Sequence, residues 1–593
     1  MTDVVKLMNT ILLFRYVGKF LKNLFKYLKY YTVESILGPL FKLLEAMFEL
    51  FVPLVVADII DYGIKNGDKS YIFSKFLILI ALGVIGIVCS ITAQYFAAKA
   101  SVGCSTKLRR ALFAHVQELS FSDLDRIGVP TLITRLTGDI NQVQSGLNLS
   151  LRLLLRSPFV VFGAMVMAFT INKSASLIFL AVIAVLAAVV FGLILGSVPA
   201  YKKVQGELDT ITGITRESLT GSRVIRAFGM ENSEREKFAE HNGSLSKKQR
   251  FAGKISALTS PMTFVILNIG IILLLNYSGI QVNTGSISTG QAVALYNYMT
   301  QILVELIKFA NLIISISKFI TCMNRIDEII ETEPAMAFKT ETPDAQDTDN
   351  AIEFRSVDMK YTKGADAALS DISFTIKKGE TVGIIGGTGC GKTTLVSMIP
   401  RFYDATEGEV LVDGIDVRDY PSKELRSKIG YVLQKASLFK GSIRDNLKWG
   451  KTDATDSELD EAVKNAQAVD VIKAKNDGYD SAVEQNGRNF SGGQRQRLTI
   501  ARALIRKPEI LILDDSASAL DYATDAALRT ALKNLDYKPT LIIVSQRTSS
   551  IMHADKIITL EDGKIAGIGT HEELLESCPV YREIYESQYK KEA

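Results

Sequence analysis

Thr381-Val382-Gly383-Ile384-Ile385-Gly386-Gly387-Thr388-Gly389-Cys390-Gly391-Lys392-Thr393-Thr394 decides how the second half of the chain folds. Thr381–Ile385 is a short apolar run of strand type, a glycine-rich turn follows, and Leu395–Arg401 continues as a helix. G-x-x-x-x-G-K-T between a strand and a helix is the spacing of a loop that wraps phosphate. Glycines let backbone N–H groups turn inward on phosphate oxygens, and the helix start adds the positive end of its dipole. Lys392 is then placed to reach the β- and γ-phosphates, and the Thr393 hydroxyl to ligate Mg2+. Gly386, Gly387, Thr388, Gly389, Cys390, Gly391 and Thr394 complete the cradle, so ATP and Mg2+ are the expected cofactors.

Outward from this loop, Glu509–Leu513 is a second apolar strand and ends in Asp514-Asp515. Asp514 is placed to hold the Mg2+ shell from the carboxyl end of its strand, the edge where α/β sheets bind ligands. From Ala351 to Ala593 short apolar strands alternate with amphipathic helices and glycine turns, the pattern of an α/β domain with a largely parallel sheet. Upstream, 331–350 is polar, contains Pro334 and Pro343, and reads as a linker.

Residues 31–330 have a different solvent. Apolar stretches near Ile36–Ile60, Phe73–Ala98, Leu147–Ile171, Ala175–Val198, Phe251–Tyr277 and Ala292–Ile320 each reach the ~20 residues that a spanning helix needs, giving six spans. Lys and Arg crowd the segments after the second and fourth spans, so both termini and the α/β domain are expected in the cytoplasm. Phe14–Tyr30 alternates bulky apolar residues with Lys19, Lys22, Lys26 and Lys29, which makes 1–30 an amphipathic elbow on the membrane lipid. Charges inside spans are expensive, and Glu45 with Glu49, Arg152 with Arg156, and Glu305 with Lys308 read either as interhelical pairs or heads snorkelling to a water boundary, or as a substrate path. Glu305, deepest in its span, is expected to line a cavity and select cationic compounds.

The net charge of +4 argues against nucleic acid as a partner. Five scattered cysteines and four scattered histidines suggest neither a disulfide framework nor a zinc site.

Phe490-Ser491-Gly492-Gly493-Gln494-Arg495-Gln496-Arg497 resembles the signature of ATP-binding cassette (ABC) proteins. With the phosphate loop before it and the Asp514 strand after it, the order is that family's, and the preceding spans resemble an ABC exporter half-transporter. The resemblance implies a fold class: an α-helical six-span transmembrane domain fused to an α/β P-loop nucleotide-binding domain. It makes Tyr361 the aromatic that stacks on adenine, Gln434 a residue touching Mg2+, and Ser518–Asp521 the loop after the acidic strand. It places coupling helices near Ser120–Gly128 and Asp209–Ile214. Two positions depart from the family. Asp515 stands where a Glu would polarise the attacking water, and Gln546 where a His would contact the γ-phosphate. Asp is one methylene shorter, and a shift above 1 Å can cost about 10²-fold in rate. Gln546 hydrogen-bonds but carries no charge.

The resemblance therefore implies a subunit that binds ATP, hydrolyses it poorly, and pairs with a second half-transporter carrying the consensus Glu and His. Ser491, Gly492, Gly493 and Gln494 would face the partner's ATP. The alternatives are a homodimer with slow Asp-assisted ATPase, or a regulatory nucleotide-sensing subunit. Cargo of small-molecule, lipid or peptide type and a cytoplasmic (plasma) membrane location are the accompanying expectations.

Overall fold

The helices of the first half are mostly long apolar runs, two of which start on the polar caps Asn172 and Ser288. In the computed structural model, which describes residues 23–341, 348–362, 364 and 366–589, they are α1 Thr32–Asp58, α2 Lys69–Glu118, α3 Phe121–Ile127, α4 Ile140–Leu153, α5 Arg156–Ile171, α6 Lys173–Thr220, α7 Ser222–Ala227, α8 Glu231–Ala257, α9 Thr259–Asn283 and α10 Thr289–Ile330. Most of the expected elbow, residues 1–22, lies outside the described residues; 23–28 are helical, with Leu24, Tyr27 and Leu28 buried. The chain divides into two units, Met1–Gln117 with Pro130–Thr332, and Glu118–Val129 with Glu333–Ala593.

Among its described residues the first unit has helices and no strand. Side chains of Leu50, Val160, Phe179, Leu274, Tyr298 and Ile302 form its core, and the Tyr298 hydroxyl donates to the Leu50 carbonyl at 2.7 Å. Along α2, Ala93, Ala97, Ala100 and Cys104 are buried, whereas Phe73, Leu77, Val84 and Ile91 are exposed. Small residues inside and large apolar residues outside are what a lipid solvent favours. Asp61 closes the far end of α1: its carboxylate accepts from Ser288 Oγ and, at 2.8 Å, from the Gly290 N–H at the start of α10.

Among the described residues, four helical runs are long and apolar enough to cross a membrane: Lys69–Glu118, Val129–Ile171, Lys173–Thr220 and Glu231–Asn283. Two of the six expected spans are outside this set. α1 carries Lys42, Glu45 and Glu49, and α10 carries Gln301, Glu305 and Lys308. Their lengths would span, but their charges need partners.

One expectation is corrected. Asp209–Ile214 is not a separate coupling helix: it lies inside uninterrupted α6. The break comes at Gly221, followed by the short α7 and by a turn at Gly229, φ +62°. The apolar residues of Leu219–Phe238 recur at the three- and four-residue spacing of one helix, yet the segment is three pieces, the end of α6, α7 and the start of α8.

The second unit has strands β1 Asn350–Met359, β2 Leu369–Lys377, β3 Thr381–Gly386, β4 Glu407–Val412, β5 Ile415–Asp416, β6 Ile429–Val432, β7 Gly441–Ser442, β8 Ala482–Val483, β9 Ile510–Asp514, β10 Thr540–Val544, β11 Lys556–Glu561 and β12 Lys564–Gly569. One sheet runs β12-β11-β3-β10-β9-β6 and another β2-β1-β4-β5. β3, β10, β9 and β6 are parallel. β9 and β10 are buried along their whole length, so they are continuous apolar runs; β12, at the edge, alternates. α11 Lys392–Met398 follows β3, α12 Gly492–Leu504 precedes β9, and α13 Pro579–Tyr589 comes last.

The expected linker is not a free tether over its first part. Met336 is buried, and the Phe338 ring lies 4.7 Å from the Arg401 guanidinium and 5.4 Å from that of Arg426. The Ala335 N–H donates to Asp123 Oδ2 at 2.9 Å. Residues 342–347 lie outside the described residues. In the same unit, Ser120 caps α3 through a reciprocal Ser120–Asp123 box. Phe121 meets Phe402 with ring centroids 4.6 Å apart, and Tyr403 donates to Asp125 Oδ2 at 2.7 Å.

Candidate functional site

Parallel pairing puts the carboxyl ends of three strands side by side. Val544 pairs with Ile384 on one side and with Asp514 on the other, so the loop after β3, Asp514-Asp515 after β9, and Ser545-Gln546 after β10 share one edge. The loop from Gly386 to Gly391 closes on α11 through Gly391, at φ +98°. A Cβ there would lie 2.7 Å from Leu369 Cδ2 and 2.8 Å from the Ala368 carbonyl, so only glycine fits. Cys390 is buried, and its Sγ is 3.6 Å from Lys392 Nζ. A Cys390 contribution to the cradle is thus one of backbone.

Lys392 donates to the carbonyls of Gly386 at 2.9 Å and Gly387 at 2.6 Å. These are neutral acceptors of its own loop, which a polyphosphate would outcompete because ionised acceptors bind about twice as strongly. Thr393 Oγ1 donates to Asp514 Oδ1 at 3.1 Å, and Tyr431 donates to Asp514 Oδ2 at 3.3 Å. Gln434 Nε2 donates to Asp515 Oδ2 at 3.3 Å. The structure therefore joins Thr393, Asp514, Gln434 and Asp515 into one cluster, as expected from their positions in sequence. Tyr361 reaches it from the side: its hydroxyl is 2.8 Å from Thr394 Oγ1, and its half-exposed ring stands edge-on to Tyr403.

Burial pushes the Asp514 carboxyl above its usual range, and the neighbouring Asp515 charge adds to this. The hydrogen bonds from Thr393 and Tyr431 and the charge of Lys392 oppose it. Burial raises Asp515 likewise, against the Gln434 hydrogen bond and the charges of Lys392 and Arg547. Tyr431 is held protonated by burial and by Asp514. An anionic pair so short of solvent is prepared for a cation. The Thr393 hydroxyl, the Asp514 carboxylate and the Gln434 amide oxygen are hard donors that suit Mg2+, which takes its other ligands from water and phosphate. Among the described residues no cluster of three His, Cys, Asp or Glu residues could hold a metal alone.

Gln546 has an exposed side chain at this edge. Its carbonyl accepts from Gln588 of α13 at 2.7 Å, and the same Gln588 accepts from the Thr548 N–H and hydroxyl at 2.9 Å. Ser491–Gln494 are not bonded to the phosphate loop. Ser491 caps α12 and exchanges hydrogen bonds with Gln494, and Ser491 and Gly492 are exposed. A Cβ on Gly493 would meet the Ala519 carbonyl at 3.0 Å, so the signature packs against the loop after β9.

Tyr431 and Gln588 escaped the sequence reading. Tyr431 stood inside the stretch that placed Gln434, but one Tyr in a strand reads as packing. Nothing in the local pattern links Gln588 to a loop 40 residues earlier.

In the helical unit the charged side chains pair both between helices and along them. Arg156 bridges Glu49 at 2.6 Å and Glu305 at 2.5 Å. Glu305 also accepts from Ser157 at 2.9 Å and Lys308 at 2.8 Å. Glu45 pairs with Lys42 at 2.5 Å. Arg152 Nε is buried without a hydrogen-bond partner. Glu305 does border a cavity, but it is 3% exposed. Its carboxylate is engaged by three donors and has little left for a cation.

Residues 35–306 match the family model for the ABC transporter transmembrane region, and residues 369–518 match that for the ABC transporter. The ABC transporter ATP-binding protein MT1311 of Mycobacterium tuberculosis is 37% identical, covering 92% of this chain and 94% of its own length. YfiB of Bacillus subtilis is 36% identical over 95% of this chain and 98% of its own. YgaD of the same organism, named as a candidate multidrug export ATP-binding/permease protein, is 32% identical over 96% and 98%. Among solved structures, a bacterial Atm1-family ABC exporter with ATP bound has the same fold, with TM-score 0.80, 22% identity, and coverage of 95% of this chain and 99% of that one. By both domain models, and by near full-length identity to several of its members, the chain belongs to the ABC transporter family, with a helical transmembrane region fused to an ATP-binding domain.

Proposed function

We propose that this chain is one half of an ATP-driven exporter of amphipathic solutes, working in the cytoplasmic membrane as a heterodimer whose site on this phosphate loop binds Mg·ATP and hydrolyses it slowly. The cluster Thr393–Asp514–Gln434–Asp515 carries the reading. Thr393, Asp514 and Gln434 hold Mg2+, which when bound would neutralise developing phosphate charge. Lys392 leaves its loop carbonyls for the phosphates, and Tyr361 offers its ring to adenine. Asp515 is the group left to orient water, and Gln546 meets the γ-phosphate without a charge. Exposed Ser491 and Gly492 close the second site on the partner's phosphate loop, where the partner supplies Glu and His. Kinship with YgaD supports export.

In this cycle ATP clamps the two ATP-binding domains. α3 transmits the movement through Phe121 and Asp125, and α7, with exposed Val224 on it and exposed Leu219 and Phe228 on either side, docks on the second chain. Six helices cross the membrane, α1, α2, α5, α6, α9 and α10, with α1 and α10 admitted because their charges are paired. The test is steady-state ATPase of the two-chain complex. Asp515→Ala should leave most of the activity, whereas replacing the partner's catalytic Glu by Gln should abolish it. Equal loss from both, or full activity of this chain purified alone as a dimer, rejects the asymmetric scheme.

A further inference from the structure

We infer that the charged wall of the helical unit binds a zwitterionic amphiphile, a molecule with an ammonium and an anionic group on an apolar body. A cavity of about 360 Å3 opens between α1, α5 and α10, bordered by Glu49, Gln301, Glu305 and Lys308 and, on its apolar side, by Val160 and Val304. That volume lies within the ~300–1,000 Å3 of small-molecule sites.

With Arg156, which bonds both acids, the charges number four and divide into a closed pair and an open pair. The Arg156 and Glu305 side chains are 7% and 4% exposed and engage each other. Glu49 and Lys308 are 42% and 45% exposed. Glu49 gives one oxygen to Arg156 and Lys308 one N–H to Glu305, so a carboxylate oxygen and two ammonium donors remain for a ligand. Gln301 Oε1 is buried without a hydrogen-bond partner and adds an acceptor on the same wall. Two acids and two bases sum to zero. A lone cation or anion bound here would leave an uncompensated charge in a medium that penalises it, whereas a zwitterion meets Glu49 with one end, Lys308 with the other, and keeps the sum at zero. The selectivity assigned to Glu305 from sequence thus passes to Glu49 and Lys308.

Only the transport step of this inference rests on the export reading; binding stands apart from it. The full complex in nanodiscs is titrated without ATP against three matched fluorescent probes: Nε-dansyl-lysine (zwitterion), dansylcadaverine (cation) and dansyl-6-aminohexanoate (anion). Nε-dansyl-lysine should bind about tenfold tighter than the other two, the worth of one charge-assisted hydrogen bond. Glu49→Gln should remove that preference in favour of the anion, Lys308→Met in favour of the cation, and Lys308→Arg should retain it. Equal affinity for the three probes, or variants that weaken all three by one factor, overturns the inference. Adding phosphatidylethanolamine to the discs separates two supporting outcomes: competition names a lipid headgroup as occupant, and its absence a free solute. Selective binding without ATP-driven accumulation in proteoliposomes would leave the site standing and reject export.

Discussion

Lengthening Asp515 by one methylene should accelerate the slow site. Asp515 is buried at φ +46°, with Oδ2 held by Gln434 at 3.3 Å. Asp515→Glu extends the carboxylate by one C–C bond, about 1.5 Å. If the short side chain leaves the carboxylate more than 1 Å from the attacking water, the correction is worth about 10²-fold, or ~2.7 kcal/mol of barrier. Two effects reduce the gain. Gln546 still supplies no positive charge. A left-handed backbone also suits Asp, whose short side chain bonds locally, better than Glu. That strain is up to ~1–2 kcal/mol and falls on stability rather than on the barrier. The net expectation is a roughly 10- to 50-fold faster hydrolysis, with Tm lower by about 2–4 °C per kcal/mol of strain in a domain of this size. The assay is single-turnover release of phosphate from radiolabelled ATP, in a complex whose partner site is silenced by Glu→Gln. Release within twofold of the parent, with nucleotide binding intact, would show that reach is not what limits this site.

Two other outcomes follow from burial at the same edge. Because burial raises the Asp515 carboxyl, the folded nucleotide-free protein binds more protons than the unfolded one across the interval above the ordinary value near ~3.9; stability therefore falls as pH rises through it. Asp515→Asn should raise Tm of the nucleotide-free protein at about pH 8, and the gain should vanish near about pH 4; a gain independent of pH argues against this account. All five cysteines are buried, so a maleimide should label Cys390 in the native protein at least about tenfold more slowly than in denaturant. Labelling at the rate of a free thiol would contradict the packing of that loop.

The phosphate loop, both acidic residues, the signature and the parallel sheet were legible because each is a local pattern whose chemistry fixes its spacing. Thr381–Gly386 and Ile510–Asp514 fall within one residue of the strands read from apolar runs. Where periodicity alone was the guide the reading slipped. Leu219–Phe238 keeps a helical pattern across Gly221, and the break came from a glycine that such a pattern tolerates. The linker looked polar, yet Met336 and Phe338 are enough to fasten its first part onto the ATP-binding unit.

By itself the sequence determined the class of solvent for each half, the order of the elements, and the residues gathered at the carboxyl edge of the sheet, since apolar runs and glycine spacing are properties of neighbouring residues. Tertiary structure alone decided which charges meet. Glu49 and Glu45 lie one helical turn apart, but one bonds Arg156 on α5 and the other Lys42 on its own helix. Tyr431 reaches Asp514 only because β6 lies beside β9. The physical reason is that a buried charge or hydroxyl takes the partner that packing brings within about 3 Å, and packing joins residues whose separation along the chain carries no signal.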